Sequence, residues 1–144
     1  MNIEIKKLNT LIKNTKLILV FLSLEFVLGM MVNLFAVSPD DQRYLTEPIY
    51  LKLIFALHGI VGLVILAGAS ALFIVTAKLK NIQLKKTSLL GLIFVLIAFL
   101  GGIATVMLKD VQSEIASLVM SLGFIAAFIS YGKFYLLLKQ SDNN

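Results

Sequence analysis

The sequence contains no cysteine, which excludes disulfides, thiolate metal sites and cysteine nucleophiles at the outset. Charge is also scarce: only 15% of the 144 residues are charged, against 59% that are hydrophobic. That balance suits a bilayer rather than water. The single histidine, His58, falls inside an apolar run, so hydrolytic chemistry has no evident water source. No glycine-rich loop carries a lysine after a strand, and no nucleotide site is expected. Neither side of the presumed membrane receives enough polar chain for a soluble domain.

What the chain does have is four long apolar runs, at residues 17–37, 53–77, 87–108 and 115–138. A hydrocarbon core of about 30 Å takes roughly 20 helical residues, and each run reaches that length. The first is longer than the roughly 7 to 15 apolar residues of a secretory signal and is expected to remain as a span. The predicted fold is therefore all-α, an integral membrane four-helix bundle forming one domain over residues 1–144. Ahead of it, residues 1–16 place Ile5, Leu8, Leu11 and Ile12 on one side of a helical wheel and Lys6, Lys7 and Lys13 on the other. This pattern reads either as an interfacial amphipathic turn or two, or as a lysine-rich tail that enforces topology.

Lysine placement predicts direction, because positive charge is retained on the cytoplasmic side of short loops. Lys6, Lys7, Lys13, Lys16, Lys78, Lys80, Lys85, Lys86, Lys133 and Lys139 fall on one face, against Arg43, Lys52 and Lys109 on the other. Both termini are thus predicted to be cytoplasmic. The outer face carries Asp40, Asp41, Glu47, Asp110 and Glu114. The net charge of +5 then reflects a basic cytoplasmic rim and gives no reason to expect nucleic acid as a partner.

The two helical hairpins resemble each other weakly. Phe26-Val27-Leu28-Gly29 matches Ala98-Phe99-Leu100-Gly101, Asn33 falls on Thr105, and Gly62 can be laid on Gly123. A duplicated two-helix unit is one reading and chance similarity of apolar sequences the other. Gly59, Gly62, Gly68, Gly101, Gly102, Gly123 and Ala127 are small residues of the kind that lets helices approach closely in lipid.

Two ionisable residues stand at membrane depth, Glu25 and His58; such groups are costly unless paired and are candidate functional residues. Counted from Leu17 at about 1.5 Å per residue, Glu25 lies roughly 12 Å and Asn33 roughly 24 Å from the inner boundary. His58 lies roughly 8 Å below Leu53, and Met120 roughly 8 Å below Ile115. These depths predict His58 level with Asn33 and Met120, and above Glu25, so that a direct Glu25–His58 contact is not expected. Glu25 is then either satisfied by a neighbouring helix carbonyl or acts as a proton acceptor and counter-charge for a cationic ligand. His58 is either bonded to Asn33 or a backbone carbonyl, or ligates a heme iron with Met120, as a histidine–methionine pair does in b-type and c-type cytochromes. Heme b is the cofactor such a pair would hold.

Four spans, His58 in the outer half of the second and the paired hairpins are similar to one half of heme A synthase. That resemblance implies a heme pocket at His58. The family carries a second histidine on its fourth span, where this chain reads Ser117-Leu118-Val119-Met120-Ser121. Glu25 with Gly29 behind it also resembles the membrane-embedded glutamate of small multidrug resistance transporters, which implies proton exchange against cationic compounds. The stretches Leu28-Gly29-Met30-Met31-Val32-Asn33-Leu34-Phe35 and Ser117-Leu118-Val119-Met120-Ser121-Leu122-Gly123-Phe124 resemble a group of small bacterial four-span membrane proteins, implying a bacterial cell membrane. Three roles follow as expectations. They are a heme-binding or quinone-associated electron-transfer or heme-handling subunit, a proton-coupled transporter, and a structural subunit of a membrane complex. A small bundle of this kind is expected to work as a homo-oligomer or within a larger assembly.

Overall fold

The computed structural model describes residues 2–35 and 48–142, and every regular element among them is a helix. In order they are α1 (Asn2–Phe35), α2 (Ile49–Ala77), α3 (Ile82–Met107) and α4 (Asp110–Asp142). All four are long and apolar enough to cross a membrane. The acidic outer-loop residues Asp40, Asp41 and Glu47, together with Arg43, lie outside the described residues.

Each helix touches its two neighbours in the order α1–α2–α3–α4–α1, and the diagonal pairs do not meet. Short links enforce the alternation of direction. Lys78–Asn81 separates α2 from α3, and only Leu108 and Lys109 separate α3 from α4. Asn81 begins α3 by accepting from the backbone N–H groups of Gln83 and Leu84 at 3.0 and 3.2 Å, which satisfies two otherwise orphaned donors. At the other end of α3, the Ser113 hydroxyl donates to the Thr105 carbonyl at 2.9 Å, tying α4 to the last turn of its predecessor.

The buried residues follow helical periodicity on the inward stripe. On α1 they are Leu11, Thr15, Ile18, Leu22, Glu25 and Leu28; on α2, Val61, Ile65, Ala69, Leu72 and Thr76. Tyr131, Phe134 and Leu138 of α4 are fully enclosed between them. Most of this core lies toward the end where α2 passes into α3, the lysine-rich end. Most hydroxyls there are satisfied locally, since Thr15 donates to Leu11 O at 2.7 Å and the Thr76 and Ser88 hydroxyls join α2 to α3 at 2.6 Å, whereas the Tyr131 hydroxyl is buried without a partner. Such back-bonding lets a hydroxyl enter an apolar core without a stranded donor.

The N-terminal segment continues α1 without a break, and Leu11 and Thr15 are buried against the bundle. With 34 residues, α1 is about 51 Å long, well beyond a hydrocarbon core of about 30 Å. The amphipathic stripe, at least from Leu8 onward, packs on protein because α4, at 33 residues, extends far enough to receive it. The side chains of Ile5, Lys6 and Lys7 lie outside the described ones.

Helices α3 and α4 interlock through glycines. A Cβ on Gly101 would come within 2.8 Å of the Met120 backbone nitrogen, one on Gly123 within 2.9 Å of the Ala98 nitrogen, and one on Gly91 within 2.7 Å of the Tyr131 ring. These are backbone-to-backbone notches at the first two positions, and a flexible side chain cannot relieve them. Gly59, by contrast, has nothing within 4 Å of its added Cβ.

Gly101→Val is expected to lower stability in detergent by about 1–3 kcal/mol through overpacking, whereas Gly59→Ala leaves it unchanged or raises it. Thermal unfolding of the two variants beside wild type checks this, and equal losses would refute the notch at Gly101.

Candidate functional site

Away from the lysine-rich end the four helices stop filling the space between them. They enclose a cavity of about 540 Å³ to which each contributes, running from Leu22, Ile65, Val95 and Ala127 at its floor toward Asn33 and Met107 at the opposite end. Four phenylalanines, Phe26, Phe55, Phe99 and Phe124, are among its lining residues, and Phe26 and Phe124 stack at 6.1 Å across the α1–α4 seam. The volume is that of an ordinary small-molecule site.

Glu25 and His58 meet at the wall of this cavity. Nδ1 of His58 lies 3.0 Å from Oε1 of Glu25, with the carboxylate side chain 10% and the imidazole 22% exposed. The ring N–H is not aligned on the oxygen, so the contact is one of proximity and charge and lacks hydrogen-bond geometry. The second carboxylate oxygen, Oε2, is buried with no partner. An orphaned carboxylate oxygen in an apolar cavity is costly, and in a native structure it calls for an explanation.

Two glycines make room for the pair. A Cβ on Gly29 would lie 3.3 Å from the His58 ring carbon Cε1, and one on Gly62 would lie 3.1 Å from Glu25 Oε1. The notches are reciprocal: each ionisable side chain rests over the glycine four residues beyond its partner. Glu25 and Gly29 on α1, and His58 and Gly62 on α2, share that spacing, and antiparallel packing turns two identical spacings into one interlocked pair. The sequence carried this signal in plain view, and it is the feature that the depth estimate missed.

The depth count starts the second span at residue 53, whereas α2 begins at Ile49. That difference of four residues, about 6 Å, raises His58 on paper away from a side chain that it in fact touches. Asn33, the partner expected for His58, lines the cavity but is exposed, two turns beyond Glu25.

Met120 and His58 do face a common space. They stand on α4 and α2, which are diagonal to each other, and both line the cavity. The Met120 backbone is pressed against Gly101, and a Cβ on Gly102 would lie 3.3 Å from its sulfur. Glu25, His58 and Met120, three of the four residues singled out in the sequence, therefore share one wall-to-wall layer, with Asn33 toward the mouth. No cluster of three or more histidine, acidic or cysteine side chains exists among the described residues, so a metal here would depend on thioether donors. Comparison with protein-family models, with curated proteins and with solved structures returns no match.

A double-mutant cycle on Glu25→Ala and His58→Ala checks the pair. Each single variant strands a buried polar partner and is expected to cost about 1–3 kcal/mol, while the double variant loses less than the sum. A coupling of roughly 0.5–3 kcal/mol is expected for residues in contact, and strict additivity would show that the two side chains do not interact.

Proposed function

We propose that this chain is a metal-handling membrane protein, with both termini cytoplasmic, whose cavity holds a metal-centred group through His58. The observation that carries the reading is the carboxylate of Glu25 at 3.0 Å from Nδ1 of an imidazole that lines the cavity. Metal-ligating histidines are commonly oriented by a carboxylate on the nitrogen that does not bind the metal. Here Glu25 lies beside Nδ1 without hydrogen-bond geometry, so its carboxylate marks Nε2 as the ligating atom by proximity alone, with the Met120 thioether on the diagonal helix as a second donor. The lysine distribution orients the bundle so that the cavity end, where α1 stops and α2 starts, is the outer one.

The hairpin contacts support an internal duplication. Laying Gly29 on Gly101 puts Glu25 on Ile97, and laying Gly62 on Gly123 puts His58 on Val119. In the first hairpin Gly62 meets Glu25 and Gly29 meets His58; in the second, Gly123 meets Ile97 and Gly101 meets Met120. The Gly62 notch recurs at Gly123, while Gly101 meets Met120, one residue beyond the His58 equivalent Val119, and the ionisable pair is present in one hairpin only.

Heme b fits this cavity in part. The imidazole and thioether suit a low-spin iron, and the open space beside Gly59 would admit a flat group. The periphery fits less well: among the described residues no lysine or arginine lines the cavity to meet the two propionates, and the lining includes a carboxylate, Glu25. The donors therefore point to a metal more firmly than they point to a porphyrin.

A second reading follows from Glu25 Oε2. A buried carboxylate oxygen without a partner, in a cavity lined by phenylalanines with no lysine or arginine among the described residues, suits a lipophilic organic cation held by charge and cation–π attraction. Proton exchange at Glu25 would then drive transport. Cells expressing wild type, but not Glu25→Gln, would survive higher concentrations of such a cation, and identical survival counts against it.

Elemental analysis and a visible spectrum test the metal reading. Protein purified in mild detergent from cells supplied with heme, iron and copper is expected to retain one of them in near-stoichiometric amount, and His58→Ala to lose it. A Soret band absent from His58→Ala would identify heme. Metal-free wild-type protein, or retention indifferent to His58, would end the proposal. Reporter fusions at both termini are expected to report a cytoplasmic location.

A further inference from the structure

The cavity gathers the soft donors of the chain. Met30 on α1, Met107 on α3 and Met120 on α4 all line it, and α2 supplies His58, so every helix contributes one thioether or imidazole. The sequence has five methionines in all. Their depths are graded. Met107 ends α3 at the cavity mouth, Met30 lies five residues inside the end of α1, and Met120 lies ten residues inside the start of α4. At about 1.5 Å per residue these are steps of about 0, 8 and 15 Å, with His58 and Glu25 on the lowest level. The donors form a ladder from mouth to floor and do not form a single coordination shell.

Thioether sulfur is a poor ligand for hard cations and a good one for soft ones, copper(I) above all among biological metals. Charge points the same way. Among the described residues Glu25 is the only acidic, lysine or arginine side chain lining the cavity, and a monovalent cation on the lowest rung would offset its carboxylate, which matters at membrane depth. A divalent ion would leave a net charge, and an anionic chelate such as heme would add negative charge to negative. The buried, unpartnered Oε2 of Glu25 is the polar group that awaits compensation.

Packing explains Met120 less well than it explains a core methionine. Its side chain borders an open cavity, and Met30 and Met107 are 47% and 75% exposed, so none of the three fills a closed gap in the way buried methionines do.

We propose that Met107, Met30, Met120 and His58 form an entry path and binding site for a soft monovalent metal ion, copper(I) in chemistry, with Glu25 as its counter-charge. This rests on the reading of His58 as a metal ligand and narrows it to a bare ion. No change of oxidation state is involved: the ion enters and binds as copper(I).

The test is titration of the purified full-length protein in detergent, under reducing anaerobic conditions, with copper(I) held by a chromophoric chelator. One equivalent is expected to transfer from chelator to protein. Met120→Leu and His58→Ala are each expected to weaken binding at least tenfold. Met107→Leu is expected to leave the affinity unchanged and slow the transfer. Leucine nearly preserves methionine's volume, and unchanged helicity and elution volume confirm that the variants fold. X-ray absorption of the loaded protein is expected to show sulfur as well as nitrogen neighbours, and silver(I) to compete.

Failure to take copper(I) from the chelator would overturn the proposal. So would binding unaltered in Met120→Leu, or a metal shell of nitrogen and oxygen alone. If the preparation binds heme through His58 but no copper(I), the metal reading stands and the bare-ion inference falls; if it binds neither, both fall.

Discussion

Reciprocal seating of Glu25 over Gly62 and His58 over Gly29 is the constraint around which the cavity half of the bundle is arranged. Two ionisable groups cannot be left apart in lipid, where each would cost several kcal/mol unsatisfied. They can meet only if the helices between them approach closely, and a side chain on either glycine would hold those helices apart. Bringing α1 and α2 together in this way also fixes their register, because a shift of one turn would strand both groups at once. The cavity is the space left on the other side of the pair.

The bundle treats its two ends differently. Toward the lysine-rich end, Leu22, Leu72, Tyr131, Phe134 and Leu138 close the interior, and the Thr76–Ser88 hydroxyl contact joins neighbouring helices without a buried charge. Toward the other end the inward positions are taken by glycine, alanine and the paired polar groups, which cannot fill the same volume. A ligand that reaches Glu25 and His58 must therefore come from the mouth or from the bilayer, since the far end is sealed by packed side chains. The extension of α1 and α4 past the length of a membrane span adds protein-on-protein packing at the sealed end. That packing supports the helices from which the open end projects.

The chemistry offered by the cavity is narrow. One carboxylate, one imidazole and three thioethers are set among phenylalanines, with the Asn33 amide and the Thr105, Ser117 and Ser121 hydroxyls beside them and, among the described residues, no lysine or arginine in the lining. A neutral apolar molecule would leave the Glu25 oxygen uncompensated, whereas a cation would complete the layer. Among cations the thioethers discriminate by softness and the phenylalanine faces by size and hydration, so a soft metal ion and a lipophilic organic cation are the two chemistries for which this lining is suited. The imidazole beside the carboxylate favours the metal.

Sequence by itself determined the number of helices, their approximate limits and the residues that matter. Four apolar runs separated by charged links can be satisfied in a membrane only as helices, because every backbone polar group must be paired within its own segment. The cost of an ionisable group in lipid singles out Glu25 and His58 without any structure. Which of these residues touch was a tertiary decision. Depth along a span depends on helix ends, and a difference of four residues at Ile49 was enough to move His58 away from Glu25 on paper. The union of Met30, Met107 and Met120 with His58 in one cavity was likewise beyond the sequence, since it depends on which face each helix turns inward. Apolar residues surround these helices on every side, so hydrophobic periodicity barely distinguishes lipid from protein. Glycine notches, which operate only between two backbones in contact, made that choice.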